Sequence, residues 1–552
     1  MQSTFPVLLI PAWLCLTPFA LAQTQPPADT RPTRHLSVED AVAMALEQNL
    51  DIRVARIDPQ IQDLSVAVAR SAWVPMVSTT FTGRSGDSPA ASFLAGGEEK
   101  VTDNRFSNSV DVQQALPWGG GSYALSWFGS RTSTTNIFTS FDPILSSDLR
   151  MAFTQPLLRD FAIDARRQQL LVGTTSREIS DVQLQEMVAV TARNVRNAYW
   201  DLVFAISSLD VQQQSLELAQ ESLRNNRIRV EVGTMAPIDI VEAEAEVARN
   251  EETVILAEAA IDQAEDRLRA LIMDPSTPDF WNIRLQPTDT PLLQARDVDI
   301  EAGVQRALSE RTDLRAQRKN LETTAVNVRY YQNQILPSVD LQANYDLSGI
   351  GGTRLLRGPG FPGDVIGRQS RGFGGVLSDI LANDFPTWTI GVTIGYPFGT
   401  SDAEANLARS RLQRSQAETR LRNAELQIAT QVRDLGRQVN TNLKRVDATR
   451  VARQLSERRL EAEEKKFGVG MSTSYFVFQA QRDLAAARNN ELRAITDYIK
   501  SLVNFEAVQV VPITGGVSAP STAPVSTAGA SVPAGSTSGM GSTSGSQPGP
   551  FR

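Results

Sequence analysis

Residues 164–230 read DARRQQLLVGTTSREISDVQLQEMVAVTARNVRNAYWDLVFAISSLDVQQQSLELAQESLRNNRIRV, and this stretch decides the fold. It holds no proline, and its single glycine, Gly173, lies near its start. Val188, Val195, Leu202, Leu209, Leu216, Leu223 and Val230 recur at intervals of seven. Such a row keeps one stripe of a helix turned toward a neighbouring helix, as in coiled coils. At about 1.5 Å per residue the stretch predicts a helix roughly 100 Å long. Helices of compact domains run about 8–20 residues. After Gly233 the row resumes as Ile240, Val247, Val254, Ile261 and Leu268. Residues 164–272 therefore predict a long antiparallel helical hairpin.

Upstream, the period changes. Phe5 to Phe19 is mostly apolar, and Ala20-Leu21-Ala22 has the small-x-small form of a cleavage site. Residues 1–22 read as a secretory signal, although no Lys or Arg precedes the apolar run. Cys15, the one cysteine, lies inside that run, and Leu14 before it is too large for a typical lipoprotein site. The sequence leaves its lipidation open. With the signal removed, disulfides play no part in stability. Residues 23–35, rich in Pro and Thr, are predicted to be extended. Ser37 with Asp40 has the form of a capping box, and a helix is predicted over 38–73, kinked at Pro59. From Pro75 the apolar residues alternate. Val77, Thr79 and Phe81, then Leu149, Met151 and Phe153, predict strands over about 76–83 and 148–155.

Downstream, Asp274-Pro275-Ser276-Thr277-Pro278 breaks the helical pattern, and an irregular segment closes a first unit of residues 36–291. The pattern then starts again over residues 292–511. A helix runs from Ile300 to Ile335. Pro75 and Pro337, Ala45 and Ala307, and Asp51 and Asp313 stand at one constant offset, the mark of an internal duplication. Val339, Leu341, Ala343, Tyr345 and Leu347 alternate with Ser338, Asp340, Gln342, Asn344 and Asp346. Trp388, Ile390, Val392, Ile394 and Tyr396 alternate with Thr and Gly. These runs predict strands over about 338–347 and 387–396, separated by a Gly-rich loop from Gly349 to Pro386. A second long hairpin spans 402–507, with Val432, Val439 and Val446 at sevens. Residues 512–552 are mostly Ser, Thr, Gly, Pro and Ala, cannot bury a core, and are predicted to be disordered.

Composition narrows the function. The formal net charge of -8 disfavours nucleic acid as a partner. One histidine, His35, and one cysteine leave little for metal binding or nucleophilic catalysis. No run beyond the signal is long and apolar enough for a transmembrane helix. Gly349-Ile350-Gly351-Gly352-Thr353 lacks the lysine of a phosphate loop and reads as a simple loop. Glu242 and Glu246, beside Arg249, read as solvated helix faces. No cofactor, metal or catalytic constellation is expected, and the chain does not read as an enzyme.

The two strands of the second half set the environment. Each has bulky apolar residues on one face, polar or small residues on the other, and aromatics toward its ends. A membrane-spanning strand needs about 9–11 residues, a lipid-facing apolar face, a polar lumen and aromatic belts. A sheet on a soluble core alternates in the same way, but the helical hairpins offer no broad apolar layer to carry one. One chain has too few strands to close a barrel, and lipid tolerates no open edge. The barrel is therefore expected to be shared between subunits. The hairpin seams are narrow, with Arg, Glu and Gln between them, which suits a ring of helices around a water-filled bore.

The duplicated order of helix, strand hairpin and giant helical hairpin resembles the TolC-like outer-membrane efflux family. So do Thr154-Gln155-Pro156-Leu157-Leu158-Arg159, Gln479-Ala480-Gln481-Arg482-Asp483-Leu484, and the turns Val232-Gly233-Thr234 and Val469-Gly470-Met471. The resemblance implies a mainly α fold with membrane β. A homotrimer would join a short outer-membrane β-barrel to a long α-helical barrel in the periplasm of a Gram-negative-type bacterium. It implies a passive exit duct for efflux or type I secretion, joined to an inner-membrane transporter through a periplasmic adaptor (membrane fusion) protein. The alternative is a periplasmic adaptor or coiled-coil scaffold, which also carries helical hairpins after a signal. Cargo and transporter class are not legible. The family usually contributes four strands per subunit. The runs at 110–116 and 123–129, joined through Pro117-Trp118-Gly119-Gly120-Gly121, are extra, and a loop extension is expected rather than a six-strand subunit.

On this resemblance Gly233, Thr234, Gly470 and Met471 are the periplasmic tips and adaptor contacts. As residues, glycines after helices serve as left-handed caps. Asp239 matches a gating aspartate of the family, and it also suits the positive end of a helix dipole. The family often has two aspartates where this chain has Phe476 and Gln479. Phe476 is read either as part of an apolar constriction, which opposes wetting, or as packing in the hairpin seam.

Overall fold

Asn49 divides what the sequence presents as one helix. Here α1 (Val38–Gln48) follows β1 (Thr33–Leu36) and is capped at Ser37, whose Oγ accepts the Asp40 N–H at 3.2 Å. The chain breaks at Asn49, which is extended (φ -62°, ψ 128°), and its Oδ1 accepts the Ile52 N–H at 3.1 Å to start α2 (Leu50–Ser71). Pro59, the expected kink, lies inside α2. A side-chain amide that satisfies a freed helix N–H stabilises a break at Asn49, and a proline offers no such cap. The computed structural model describes residues 32–513 apart from 90–99, 279, 292–294, 362 and 400. The expected signal with Cys15, most of the extended segment after it, and the tail beyond 513 lie outside the described residues.

A meander follows: β2 (Met76–Pro89), β3 (Lys100–Ala115), β4 (Ser122–Thr134) and β5 (Phe141–Pro156). Next come α3 (Ala165–Glu231), 67 residues long, and its return α4 (Ile238–Ile272). β6 (Arg284–Pro287) lies parallel to β1. The second half supplies α5 (Ile300–Glu310), α6 (Thr312–Gln334), β7 (Ser338–Arg357), β8 (Val365–Arg371), α7 (Phe373–Ala382), β9 (Pro386–Gly395), α8 (Asp402–Gly468) and α9 (Ser474–Val508). The expected Gly-rich loop therefore holds the end of β7, all of β8 and α7. Gly349 to Thr353 is strand, not loop.

The strand order is β2-β3-β4-β5-β7, and the far edge of β7 pairs with β9 over residues 338–347 and with β8 over 352–357. β3 and β4 are not a loop extension. They pair along their length with β2 and β5, so among the described residues the sheet holds six long strands and the shorter β8. Pairing satisfies backbone groups that a free loop would leave to solvent. Gly119 and Gly120, at φ 66° and 70°, make the tight turn between them.

Helix packing is closest around the middle of α3, where α4 ends and α1 packs. Val195, Tyr199 and Leu202 of α3 are fully buried with Leu268 and Ile272 of α4 and with Ala41 and Ala45 of α1. Toward the tip the buried residues of α3 are Val211, Ala219 and Asn226, while Leu209, Leu216 and Leu223 are only half-buried. A straight α-helix drifts about 20° per heptad, so the seven-residue row leaves the contact. In α8, by contrast, Val432, Val439 and Val446 all stay buried. The two hairpins meet through polar pairs between α3 and α9. Asn197 Nδ2 donates to Asn504 Oδ1 at 3.1 Å, Ser208 Oγ to Asn489 Oδ1 at 3.0 Å, and Lys500 Nζ to Asp201 Oδ1 at 2.6 Å.

Candidate functional site

Strand register sorts the sheet into two chemically distinct faces. Val77, Val112, Leu125, Met151, Tyr345 and Trp388 form one row across the six strands. One residue along, on the opposite face, the row is Ser78, Asp111, Ser126, Arg150, Asp346 and Thr387. Arg150 Nε meets Asp346 Oδ1 there at 2.6 Å. Trp388, Ile390, Val392 and Ile394 are exposed. Along β9, Trp388 and Tyr396 bracket the apolar row; Trp127 lies one row to one side of the Tyr345–Trp388 pair, and Tyr123 and Phe153 one row to the other. From Trp388 to Tyr396 a strand spans about 26 Å at ~3.3 Å per residue, close to the ~25 Å apolar band of a membrane barrel. Among the described residues, β2 carries one free edge, and β9 and the shorter β8, in succession along β7, carry the other.

The Thr154–Arg159 stretch joins sheet to helices. Gln155 Nε2 donates to Gly119 O at 2.6 Å, so the β3–β4 turn is held against the β5–α3 crossover. Asp160 is left-handed (φ 67°), its N–H donates to Asn333 Oδ1 at 2.6 Å, and its carbonyl accepts from Arg167 Nη2 at 2.6 Å. Gly120 packs so tightly that a Cβ would lie 2.3 Å from the Asp160 carbonyl oxygen.

At the far end of the helices, Gly233 (φ 76°) and Gly470 (φ 78°) end α3 and α8 in the same way. The Gly233 N–H donates to Val230 O at 2.9 Å and the Thr234 N–H to Arg229 O at 2.9 Å. Gly470 and Met471 repeat the pattern with Phe467 O at 3.1 Å and Lys466 O at 2.8 Å. Both are Schellman caps. Asp239 stands in the first turn of α4 and accepts from Ser474 Oγ, on α9, at 3.0 Å. It thereby links the two hairpins as well as serving its own helix. Phe476 is 49% exposed and lies edge-on to Tyr475. Val477, Ala480 and Leu484 take the seam with Leu460 and Phe467. Phe476 therefore does not pack into it, and Gln479 is half-buried beside it.

Glu246 corrects the sequence reading. It is 4% exposed, and its Oε2 accepts from Arg249 Nη1 at 2.9 Å on its own helix and from Arg482 Nη1 at 2.8 Å on α9. Glu242 is exposed, as expected. The three-residue spacing to Arg249 was legible. The bond to Arg482, distant in sequence, carried no local signal. Ser474 was missed for the same reason.

The sequence profile of the outer membrane efflux protein family matches residues 41–272 and 303–508. The chain belongs to this family, and with it to the outer membrane. The outer membrane protein TolC of Escherichia coli is 23% identical over 334 residues, 60% of this chain and 63% of that protein. The match thus spans less than two thirds of that relative's length. The CmeC outer membrane channel of Campylobacter jejuni superposes with a TM-score of 0.61 at 15% identity, over 86% of this chain and 85% of that one. The outer membrane protein VceC of Vibrio cholerae superposes with a TM-score of 0.60 at 15% identity, over 86% and 96%. These superpositions establish a shared fold of long helices and a β-domain. Membership of the family sets aside the periplasmic adaptor reading.

Proposed function

We propose that the chain is the outer-membrane exit duct of an efflux or type I secretion assembly, a passive channel rather than an enzyme. The observation that carries this is the row-by-row division of the six long strands into an apolar and a polar face, with one free edge at β2 and the other at β9, continued by the shorter β8. Lipid leaves an open edge without hydrogen-bond partners. β2 of one copy therefore pairs with β9 of the next, and three copies close a barrel of eighteen strands. Barrels of about 16–18 strands enclose an aqueous channel.

Paired element lengths support an internal duplication. α1 and α5 have 11 residues each, α3 and α8 have 67, and α4 and α9 have 35. A homotrimer then presents six similar hairpins around its axis. Their tips at Gly233, Thr234, Gly470 and Met471 meet a periplasmic adaptor, which joins the duct to an inner-membrane transporter that supplies the energy.

The tip closes through the Ser474–Asp239 bond and an apolar constriction at Phe476, with Gln479 one turn away. Ser474→Ala removes a link worth about 1 kcal/mol and raises open probability in single-channel recordings. Phe476→Ala raises conductance, and an unchanged trace would remove Phe476 from the gate.

Negative-stain imaging of detergent-extracted protein tests the whole reading. The expected particles are trimeric hollow cylinders, longer than the ~100 Å of one helix. Small particles that need no detergent would overturn it.

A further inference from the structure

β8 and β9 follow one another along one edge of β7, yet the chain does not run straight between them. β8 ends with Arg371 opposite Gly352, and β9 begins with Pro386 opposite Leu347. Residues 372–385 leave the edge, form α7 and return. The glycines beneath show where α7 lies. A Cβ on Gly349 would meet Val376 Cγ1 at 3.1 Å, one on Gly351 would meet Val376 Cγ2 at 2.6 Å, and one on Gly129 would meet Phe373 Cζ at 3.4 Å. Side chains alternate along a strand, so Gly349 and Gly351 extend the Tyr345 and Leu347 row, and Gly129 extends that of Leu125 and Trp127. α7 therefore lies on the apolar face of the sheet, outside the barrel.

Specific bonds hold it there. Arg371 Nη1 donates to Asp379 Oδ2 at 2.8 Å, and Arg371 Nη2 donates to Gly375 O at 2.9 Å. The Tyr345 hydroxyl donates to Asn383 Oδ1 at 2.6 Å, where a left-handed Asn383 (φ 60°) ends the helix. Asp379, the one charged residue of α7, is buried against the sheet. The outward face is Gly374, Ser378, Leu381 and Ala382, with no charge. A helix facing water shows the reverse arrangement. Leu381 is 87% exposed, and Phe385 after it is 56% exposed. The Tyr345–Asn383 bond sets the end of α7 beside Tyr345, whose cross-strand partner is Trp388 on the lipid-facing side of β9.

We propose that α7 is a lipid-binding collar whose outward face seats among the acyl chains of the outer leaflet, just beyond the Tyr345–Trp388 belt. The proposal rests on the membrane-barrel reading above and adds to the sheet a helix lying in the interface. Such helices bury their apolar face about 5–10 Å deep at the headgroup boundary. The placement of the exposed Leu381 end of α7 beside the lipid-facing Tyr345–Trp388 pair favours lipid over a protein partner.

Depth-dependent quenching tests this in the full-length channel. In a Cys15→Ser background, single bimane labels are placed through Leu381→Cys, through Ile390→Cys as the membrane control and through Met471→Cys as the aqueous control. The protein is reconstituted into phosphatidylcholine vesicles with brominated acyl chains. Brominated lipid should cut emission at 381 as strongly as at 390, with no loss at 471, and iodide in the buffer should quench only 471. Iodide quenching at 381 with lipid quenching at 390 would overturn the collar and leave the barrel intact. Iodide quenching at both 381 and 390 would bring down the barrel reading first. A label at 381 quenched by neither agent would mean that a protein surface covers α7, which also overturns the proposal.

Discussion

Gly233 and Gly120 both hold positive φ, but their surroundings differ. A Cβ on Gly233 meets nothing within 4 Å, so Gly233→Ala costs only the left-handed backbone, about 1–2 kcal/mol. Amide exchange at the end of α3 should quicken by roughly 5–30-fold, with the trimer otherwise unchanged. Gly120→Ala adds a clash with the Asp160 carbonyl, on the order of 1–3 kcal/mol more, at the junction of sheet and helices. It should lower the temperature at which the proposed trimer dissociates on a gel, and Gly233→Ala should not. Equal gel behaviour of the two variants would mean that the junction absorbs the clash. Glu246 makes a related point, since its bond to Arg249 follows from helical spacing and its bond to Arg482 on α9 does not.

Among the elements, the α3–α8 contact near the tip carries the clearest titration. Burial, then the carboxylates of Glu221 and Glu461, push the Glu464 carboxyl above its usual 4.5. A raised carboxyl favours the folded state in its protonated form. Its contribution is complete below 4.5 and is lost as pH rises through the raised value. Glu461 and Glu463 are held low, chiefly by hydrogen bonds from Lys465 and Lys466, and act in the opposite sense. Comparison with Glu464→Gln isolates the one group. Intrinsic-rate-corrected amide protection at the end of α8 should fall in the native protein as pH rises above about 4.5. The fall should be smaller in Glu464→Gln, and identical profiles would show that the pair does not couple to packing. The helical elements also show where periodicity stops being informative. Sevens keep Val432, Val439 and Val446 buried, but in α3 the same spacing drifts off the seam, because the partner's path decides whether a helix supercoils.

For the molecule as a whole, the free edges of β2 and β9 are the decisive feature. Cysteines placed along β2, around Thr79, and along β9, around Val392, should form disulfides between neighbouring copies and yield covalent trimers on non-reducing gels. Failure in every register would exclude closure of the barrel through these edges. The same arrangement should hold β3 and β4 inside the wall, so that images of the barrel resolve six strands per copy.

The sequence by itself determined the local periodicities, the hairpin turns and the two-faced strands. Those follow from the geometry of neighbouring residues: 3.6 per helical turn, two per pleat, and glycine where φ must be positive. It also carried enough ordered motifs to point to the family. Tertiary structure alone decided which residues far apart in the chain meet. Asn49 rather than Pro59 breaks the first helix because its Nδ2 also donates to Leu271 O on α4 at 3.0 Å. β3 and β4 join the sheet because β2 and β5 offer edges in register. The glycine run at 349–352 becomes a bed for α7 because Val376 lies over it. Each of these outcomes depends on a partner in space, and no spacing along the chain encodes it.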